Sequence, residues 1–248
     1  DMPKMPTFAS DDEWSIGKPD LIVSAPTYTV KANMADWFGS FYVDSGLNED
    51  RWIKAIEVKP GDKRVVHHTI VYSLQDDEEE LKMFVPEREN DGFNRAAGTR
   101  LIEYAIGNLG DVYDEGTARL VKAGAKLHFS AHYHAIAEDV TEQTRVGIVF
   151  YPKGYKPKYI IQNKLVGAGN LDIPPGEADV RHDAYFTLKK PAKLLLFQPH
   201  MHYRGRAMAL EAIYPDRREE LLSYVPRFDV MWQVTYAYKN PPVFPAGT

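Results

Sequence analysis

The residues with the clearest chemical potential in this sequence are histidines, and most of them occur in clusters. The eight positions are His67, His68, His128, His132, His134, His182, His200 and His202. All but His182 belong to one of three short segments. Imidazole is the commonest metal ligand among side chains, and clustered histidines mark a metal more often than a single one does. The sequence therefore predicts metal binding.

The pair with the simplest geometry is His200 and His202. Residues i and i+2 of a β-strand face the same side, so both imidazoles can reach one ion while Met201 faces away. A histidine pair without thiolate or close carboxylates suits copper, zinc or iron. The alternative is a structural pair without metal.

His67 and His68 present a different problem, because adjacent residues of a regular strand point to opposite faces. They can share an ion only if the strand is twisted or bulged at this point, or if they use different ring nitrogens. Otherwise one is a core residue and the other a surface residue. Strand geometry leaves both possibilities open.

His128, His132 and His134 form the third cluster. On a regular strand all three would lie on one face. Spacing alone therefore does not choose among them, and at most one or two would be ligands.

The composition narrows the chemistry further. The chain has no cysteine, which excludes disulfides, thiolate metal sites and cysteine nucleophiles. A net charge of −5 gives no sign of nucleic-acid binding. No apolar run approaches the ~20 residues that span a bilayer, so no membrane role is expected. No His-Glu-x-x-His motif occurs, which ranks a zinc-dependent hydrolase lower.

The elements that must position these histidines are predicted to be β-strands. Short runs of β-branched and aromatic residues favour strands at 21–23, 28–30, 37–43, 52–58, 64–74, 127–135, 144–151, 160–161, 184–188, 194–197, 207–214 and 232–238. Residues 75–98 and 107–116 are predicted loops. No long helical period occurs. The fold class is therefore predicted to be all-β, with sandwiches or barrels.

The chain is predicted to have three parts. Residues 1–19 form a polar, proline-rich arm, and a break at 152–157 separates a domain of residues 20–155 from one of residues 156–248. The start without Met suggests a processed or trimmed chain, and no signal peptide is evident. The end at Pro245 to Thr248 is typical of a turn into a further strand, so we expect the second domain to be cut short.

Three motifs carry a family resemblance when they are taken together. They are Val66-His67-His68-Thr69, Ala131-His132-Tyr133 and His200-Met201-His202-Tyr203-Arg204-Gly205-Arg206. In order and spacing, over roughly residues 15–248, they resemble the copper type II, ascorbate-dependent monooxygenases (peptidylglycine alpha-hydroxylating and dopamine beta-monooxygenase-like), and a bacterial member in particular.

The resemblance implies two antiparallel β-sandwich domains of jelly-roll-like form, with one copper ion in each. His67, His68 and His132 would hold an electron-transfer copper, and His200 and His202 a catalytic copper with a methionine. The implied reaction is hydroxylation of a C–H bond of a small-molecule substrate by O2, with ascorbate as electron donor. The expected location is secreted or periplasmic.

The sequence also departs from the family pattern. The family's Glu-Met motif does not follow His202, Met208 and Met231 are predicted core residues, and the methionine ligand is expected beyond Thr248. Gln198 stands where the peptidylglycine enzyme has a substrate-binding arginine, which disfavours a glycine-extended peptide. Ser130 replaces a family glutamine. A non-catalytic copper-binding or storage protein is the alternative function.

Two further groups of polar residues each have two possible roles. The carboxylates that could orient the imidazoles, but that are expected to be solvated, are Asp139, Glu142, Asp183 and Asp229. Arg204 and Arg206 could meet an anionic substrate, or they could form salt bridges at a strand end.

Overall fold

The computed structural model describes residues 13–75, 99–164, 166–167, 171–230 and 232–248. The regular secondary structure in these ranges consists of β-strands alone, which confirms the all-β prediction. No helix among the described residues is long and apolar enough to cross a membrane. The chain forms two compact units, Asp1–Asn163 and Lys164–Thr248, where the sequence predicted a break near residue 155.

The first unit contains two larger sheets. Sheet I is six-stranded and contains, in spatial order, β1 (Leu21–Ser24), β11 (Arg145–Phe150), β4 (Arg51–Lys59), β8 (Thr117–Val121) and β12 (Tyr159–Ile160), with β7 (Asp111–Val112) beside β4. Sheet II is four-stranded and contains β3 (Trp37–Asp44), β9 (Lys126–Tyr133), β5 (Val66–Leu74) and β6 (Thr99–Ala105). A separate pair joins β2 (Tyr28–Val30) to β10 (Val140–Glu142).

The two larger sheets contribute to one apolar core. Ile56 and Ile148 come from sheet I and Phe129 and Val71 from sheet II, and all four are at most 1% exposed. Two sheets that bury their inner faces against each other form a β-sandwich. The jelly-roll topology stays a prediction.

Strict side-chain alternation divides sheet II into an inner and an outer face. Along β9, Leu127, Phe129, Ala131 and Tyr133 are buried in the core, whereas His128 and His132 lie on the opposite face. β3 alternates in the same way over its whole length. Sheet II therefore carries His128 and His132 on its outer face.

The second unit is built from three short antiparallel pairs. They are β13 (Ala192–Lys193) with β18 (Val243–Phe244), β14 (Leu196–Phe197) with β17 (Tyr236–Ala237), and β15 (Met208–Ile213) with β16 (Glu219–Val225). Its described residues bury few apolar side chains, among them Ala212 and Phe244.

Several sequence predictions need correction. Residues 184–188 form no strand. In this segment Leu188 exchanges backbone hydrogen bonds with Gly247 and Thr248. A run of residues with high strand propensity forms a strand only where a neighbouring strand pairs with it. The predicted loop 107–116 contains the short strand β7. β12 pairs with β8 in parallel, not antiparallel. Most of the predicted loop 75–98 lies outside the described residues.

The described part of the N-terminal arm is fastened to sheet I. The carboxylate of Glu57 accepts hydrogen bonds from the backbone of Ser15 (2.6 Å) and of Ile16 (3.3 Å). The Trp14 ring lies over Gly147, where an added Cβ would come within 2.8 Å of it. Residues 13–19 are therefore part of the packed unit.

A glycine beneath an aromatic stack gives a test of the packing of sheet II. A Cβ at Gly39 would lie 2.0 Å from the Trp37 ring, which itself stacks on Tyr133 (5.2 Å between centroids). Gly39→Ala must displace this ring, and we expect the free energy of unfolding to fall by about 1–3 kcal/mol. Urea denaturation followed by tryptophan fluorescence measures the change. Gly167→Ala is the control, since its Cβ meets nothing within 4 Å. Equal stability of the two variants would contradict this packing.

Candidate metal centres

A β-bulge removes the geometric conflict between His67 and His68. Val66 pairs with Tyr133 and His68 pairs with His132, so His67 is an extra residue with no partner on β9. The two histidines are both half-buried, while the regular in–out alternation resumes at Thr69. The bulge therefore brings both imidazoles to the outer face of sheet II.

The ring nitrogens of His67, His68 and His132 converge. One ligand atom from each lies within 4.8 Å of the others, and the two Nδ1 atoms of His67 and His68 are 3.0 Å apart. Two nitrogens each about 2.0 Å from one ion can be no more than about 4 Å apart. The His67–His68 separation of 3.0 Å fits that limit, and the 4.8 Å spread of all three ligand atoms is close to it. We call these three residues the histidine triad.

The third ring is held by its neighbours. His132 Nε2 lies 2.9 Å from the carboxylate of Asp36, which leaves Nδ1 as the nitrogen that can meet an ion. Phe38, on the adjacent strand, stacks on the same ring with centroids 3.9 Å apart. A carboxylate behind a ligating imidazole fixes its orientation and makes it a stronger donor.

The protonation state of His67 also favours a metal. Burial lowers the pKa of His67 below its ordinary value, and the nearby imidazoles of His132 and His134 lower it further, against an opposing effect of Asp36. A metal ligand must be unprotonated. The neutral imidazole that an ion needs is thus the prevailing form of His67 at neutral pH.

The remaining histidines of the first unit, His128 and His134, are not members of the triad. His128 is buried, stacks between Tyr42 (4.6 Å) and Tyr72 (5.4 Å), and bonds Ser40 through Nε2. His134 follows the end of β9, and its backbone N–H donates to the carbonyl of Val65. Neither belongs to the group of converging ligand atoms.

In the second unit His200 and His202 come together without being on a strand. β14 ends at Phe197, and both histidines lie in the irregular segment that follows, contrary to the predicted strand geometry. Their ring centroids are still only 5.1 Å apart, at 85° to each other. The turn Tyr203–Arg204, closed by a 2.8 Å bond from Gly205 N–H to the His202 carbonyl, replaces strand pairing as the constraint.

Gln233 orients His200, a role that no sequence motif indicated. His200 Nδ1 lies 2.6 Å from Gln233 Oε1, and the Gln233 amide nitrogen donates to the carbonyl of Val230 at 2.9 Å. The second bond fixes which end of the amide faces the imidazole, so Nδ1 carries the proton and Nε2 is the nitrogen that faces outward. Gln233 is 7% exposed, which keeps this arrangement in place.

Gly205 is required by a close approach. A Cβ there would lie 2.4 Å from Met201 Cβ and 3.0 Å from its sulfur. The glycine of the Arg-Gly-Arg segment therefore lets the chain turn tightly beside the histidine pair. Arg206 forms an exposed ion pair with Asp179, in agreement with the salt-bridge interpretation.

The remaining predicted ligands and orienting carboxylates have mixed outcomes. Met208 is half-buried at the start of β15, and Met231 lies outside the described residues. Asp139 and Asp183 are exposed, as expected. The prediction for Glu142 was wrong, because its side chain is completely buried. Among the described residues, the triad is the one group of three or more His, Asp or Glu side chains with metal-site spacing.

Comparison with known proteins adds no identification: no family model matches the chain, and a search of curated proteins finds no match. The family resemblance therefore depends on the three histidine motifs and their spacing.

The role of Gln233 can be tested by removing its oxygen. Gln233→Leu should lower copper affinity at His200 and His202 by about 10–100-fold, because the imidazole loses its fixed orientation. Gln233→Glu is the matched variant, since it retains an acceptor for His200 Nδ1 and should retain most of the affinity. Competition with a chromophoric Cu(I) chelator measures both. Unchanged affinity in Gln233→Leu would contradict the assignment.

Proposed function

We propose that this protein is a copper-dependent monooxygenase, with an electron-transfer copper at His67, His68 and His132 and a catalytic copper at His200 and His202. The observation that carries the proposal is the bulge at His67, which brings three imidazoles together on one sheet face. A regular strand would have been sufficient for an ordinary structural role. An extra residue that aligns two adjacent histidines has a direct use in metal binding.

The chemistry of the donors favours copper. The triad offers three imidazoles and no carboxylate oxygen, and imidazole serves both oxidation states of copper. Bound copper supplies one-electron transfer and reaction with O2, which side chains cannot supply alone. Ascorbate is the proposed electron donor. The chain lacks cysteine, so no thiolate competes for the ion.

The protein's own contribution is to orient and shield these groups. Asp36 and Gln233 accept hydrogen bonds from one nitrogen of His132 and of His200, so the opposite nitrogen of each ring is presented outward. Phe38 covers one face of the His132 ring. Rigid orientation of this kind reduces the rearrangement that each change of oxidation state requires.

The substrate is proposed to be a small molecule with an unactivated C–H bond. Gln198, in the position of the family's substrate-binding arginine, donates its amide N–H to the backbone carbonyl of Gln233 at 3.3 Å. A neutral amide that is engaged with the backbone gives little attraction for a peptide carboxylate. This supports a substrate other than a glycine-extended peptide. The proposed location of the protein is secreted or periplasmic.

Copper loading tests the two-site proposal. We expect two copper ions per chain after mild dialysis, with His200→Ala losing one and His68→Ala losing the other, because the sites share no ligand. Elemental analysis by mass spectrometry gives the ratios, with His182→Ala as the control outside all clusters. Loss of both ions from either single variant would contradict independent sites, and zinc in their place would favour the hydrolase alternative.

Oxygen consumption separates the enzyme from a storage protein. The copper-loaded protein should consume O2 in the presence of ascorbate and a pool of candidate substrates above the rate of free copper, and His200→Ala should return to that background. An oxygen electrode makes the measurement. Full copper loading with uptake only at background would overturn the monooxygenase proposal in favour of copper binding or storage.

A further inference from the structure

A buried carboxylate lies outside both groups of histidines. Glu142, the last residue of β10, is 0% exposed. Its oxygens accept hydrogen bonds from the backbone N–H of Gly61 (3.0 Å), the backbone N–H of Asp62 (2.5 Å) and the hydroxyl of Thr144 (2.7 Å). Burying a carboxylate is costly unless such donors satisfy it. The same hydrogen bonds therefore hold Gly61, Asp62 and Thr144 in place around the carboxylate.

The first consequence concerns the entry to β5. Gly61 and Asp62 lie in the turn between β4 and β5, which Glu142 fastens to β10. Asp62 holds the end of this turn, because its carbonyl accepts from Val65 N–H (3.4 Å) and its carboxylate from Arg64 N–H (2.9 Å). β5 begins at the next residue, Val66, directly before the bulge. The bonds to Glu142 therefore set the point at which the histidine strand enters sheet II.

The second consequence concerns the end of β9. Thr144, which donates to Glu142, also lies close to the Tyr133 side chain. Tyr133 is 1% exposed and is the last residue of β9, directly after His132. The end of β9 also meets the start of β5 directly, because the N–H of His134, just after β9, donates to the carbonyl of Val65, just before β5, at 3.0 Å. The turn that Glu142 holds therefore joins both strands that carry the triad.

We propose that Glu142 is a positioning residue for the triad: it fixes the start of β5 against the end of β9, so that the bulge presents His67 and His68 to His132. The metal part of this inference rests on the proposed function. The geometric part concerns the protein without metal and can be tested separately.

Gly61 complements this role. A Cβ at this position would lie 3.0 Å from the backbone nitrogen of Gln143 and 3.1 Å from Glu142 Oε2. Such contacts are tighter than ordinary packing, so a side chain would push the turn away from β10. Gly61→Ala is therefore a second variant that disturbs the same contact without changing a charge.

The experiment compares Glu142→Gln with Glu57→Gln in the His200→Ala background, where only the triad holds copper. Glu57 is a matched control, because it is also a buried carboxylate (8% exposed) that accepts backbone and hydroxyl hydrogen bonds, from Ser15 and Ile16. The readouts are the electron paramagnetic resonance spectrum of bound Cu(II), chelator competition, and the NMR signals of the three imidazoles without metal.

We expect Glu142→Gln to turn an amide NH2 toward backbone donors, to shift the imidazole signals of His67 and His68, and to weaken copper binding about tenfold with an altered Cu(II) spectrum. Gly61→Ala should act in the same direction and more weakly, and it serves as the test if Glu142→Gln does not fold. Glu57→Gln should lower thermal stability while it leaves the spectrum and imidazole signals unchanged.

The outcomes distinguish this inference from the proposed function. Identical spectra, affinity and imidazole signals in Glu142→Gln and Glu57→Gln would overturn the positioning role. If the unaltered triad takes up no copper, the proposed copper site fails, and the metal-free imidazole signals alone decide whether Glu142 positions the triad.

Discussion

The two-residue period of a β-strand is the constraint on which the first candidate centre depends. Adjacent side chains of a regular strand point to opposite faces and cannot bind one ion. In this chain one unpaired residue, His67, lies between the Val66–Tyr133 and His68–His132 pairs and removes that restriction. β5 stays paired with β9 on either side of the bulge, with the register shifted by one residue, and the core residues Val66 and Val71 remain buried. The bulge therefore brings the histidines together without disturbing the sandwich core. The geometry of the triad then depends on the position of the bulge along β5.

Hydrogen bonds to fixed acceptors determine which nitrogen each candidate ligand offers. Asp36 accepts a hydrogen bond from Nε2 of His132, whereas Gln233 accepts one from Nδ1 of His200. His132 therefore offers Nδ1 to an ion and His200 offers Nε2. The surroundings differ as well: the triad lies on a paired sheet, and the His200–His202 pair lies in an irregular segment held by a tight turn at Gly205. We expect the first centre to be the more rigid, because its ligands are fixed by strand pairing.

Sequence reasoning was sufficient for the all-β class and for most longer strands, because β-branched and aromatic runs such as that of β5 bury one face. It named a bulge as one of the ways in which His67 and His68 could share an ion, but it could not show that one forms, since bulge formation depends on the partner strand β9. It could not find Gln233, and it named Glu142 only as a solvated candidate for orienting the imidazoles, because the contacts of both come from residues far away in the chain, Gly61 and His200 among them. The failed strand at 184–188 has the same origin: propensity without a pairing partner does not make a strand.

The most direct test of the account is the number of imidazoles bound to copper at the triad. Pulsed electron paramagnetic resonance on the His200→Ala protein, loaded with one equivalent of Cu(II), resolves the imidazole nitrogens that are coupled to the metal. The account predicts three imidazoles, falling to two when His67, the bulge residue, is replaced by alanine. A spectrum with three imidazoles in both proteins, or with a single imidazole in either, would contradict the claim that the bulge brings His67, His68 and His132 to one ion.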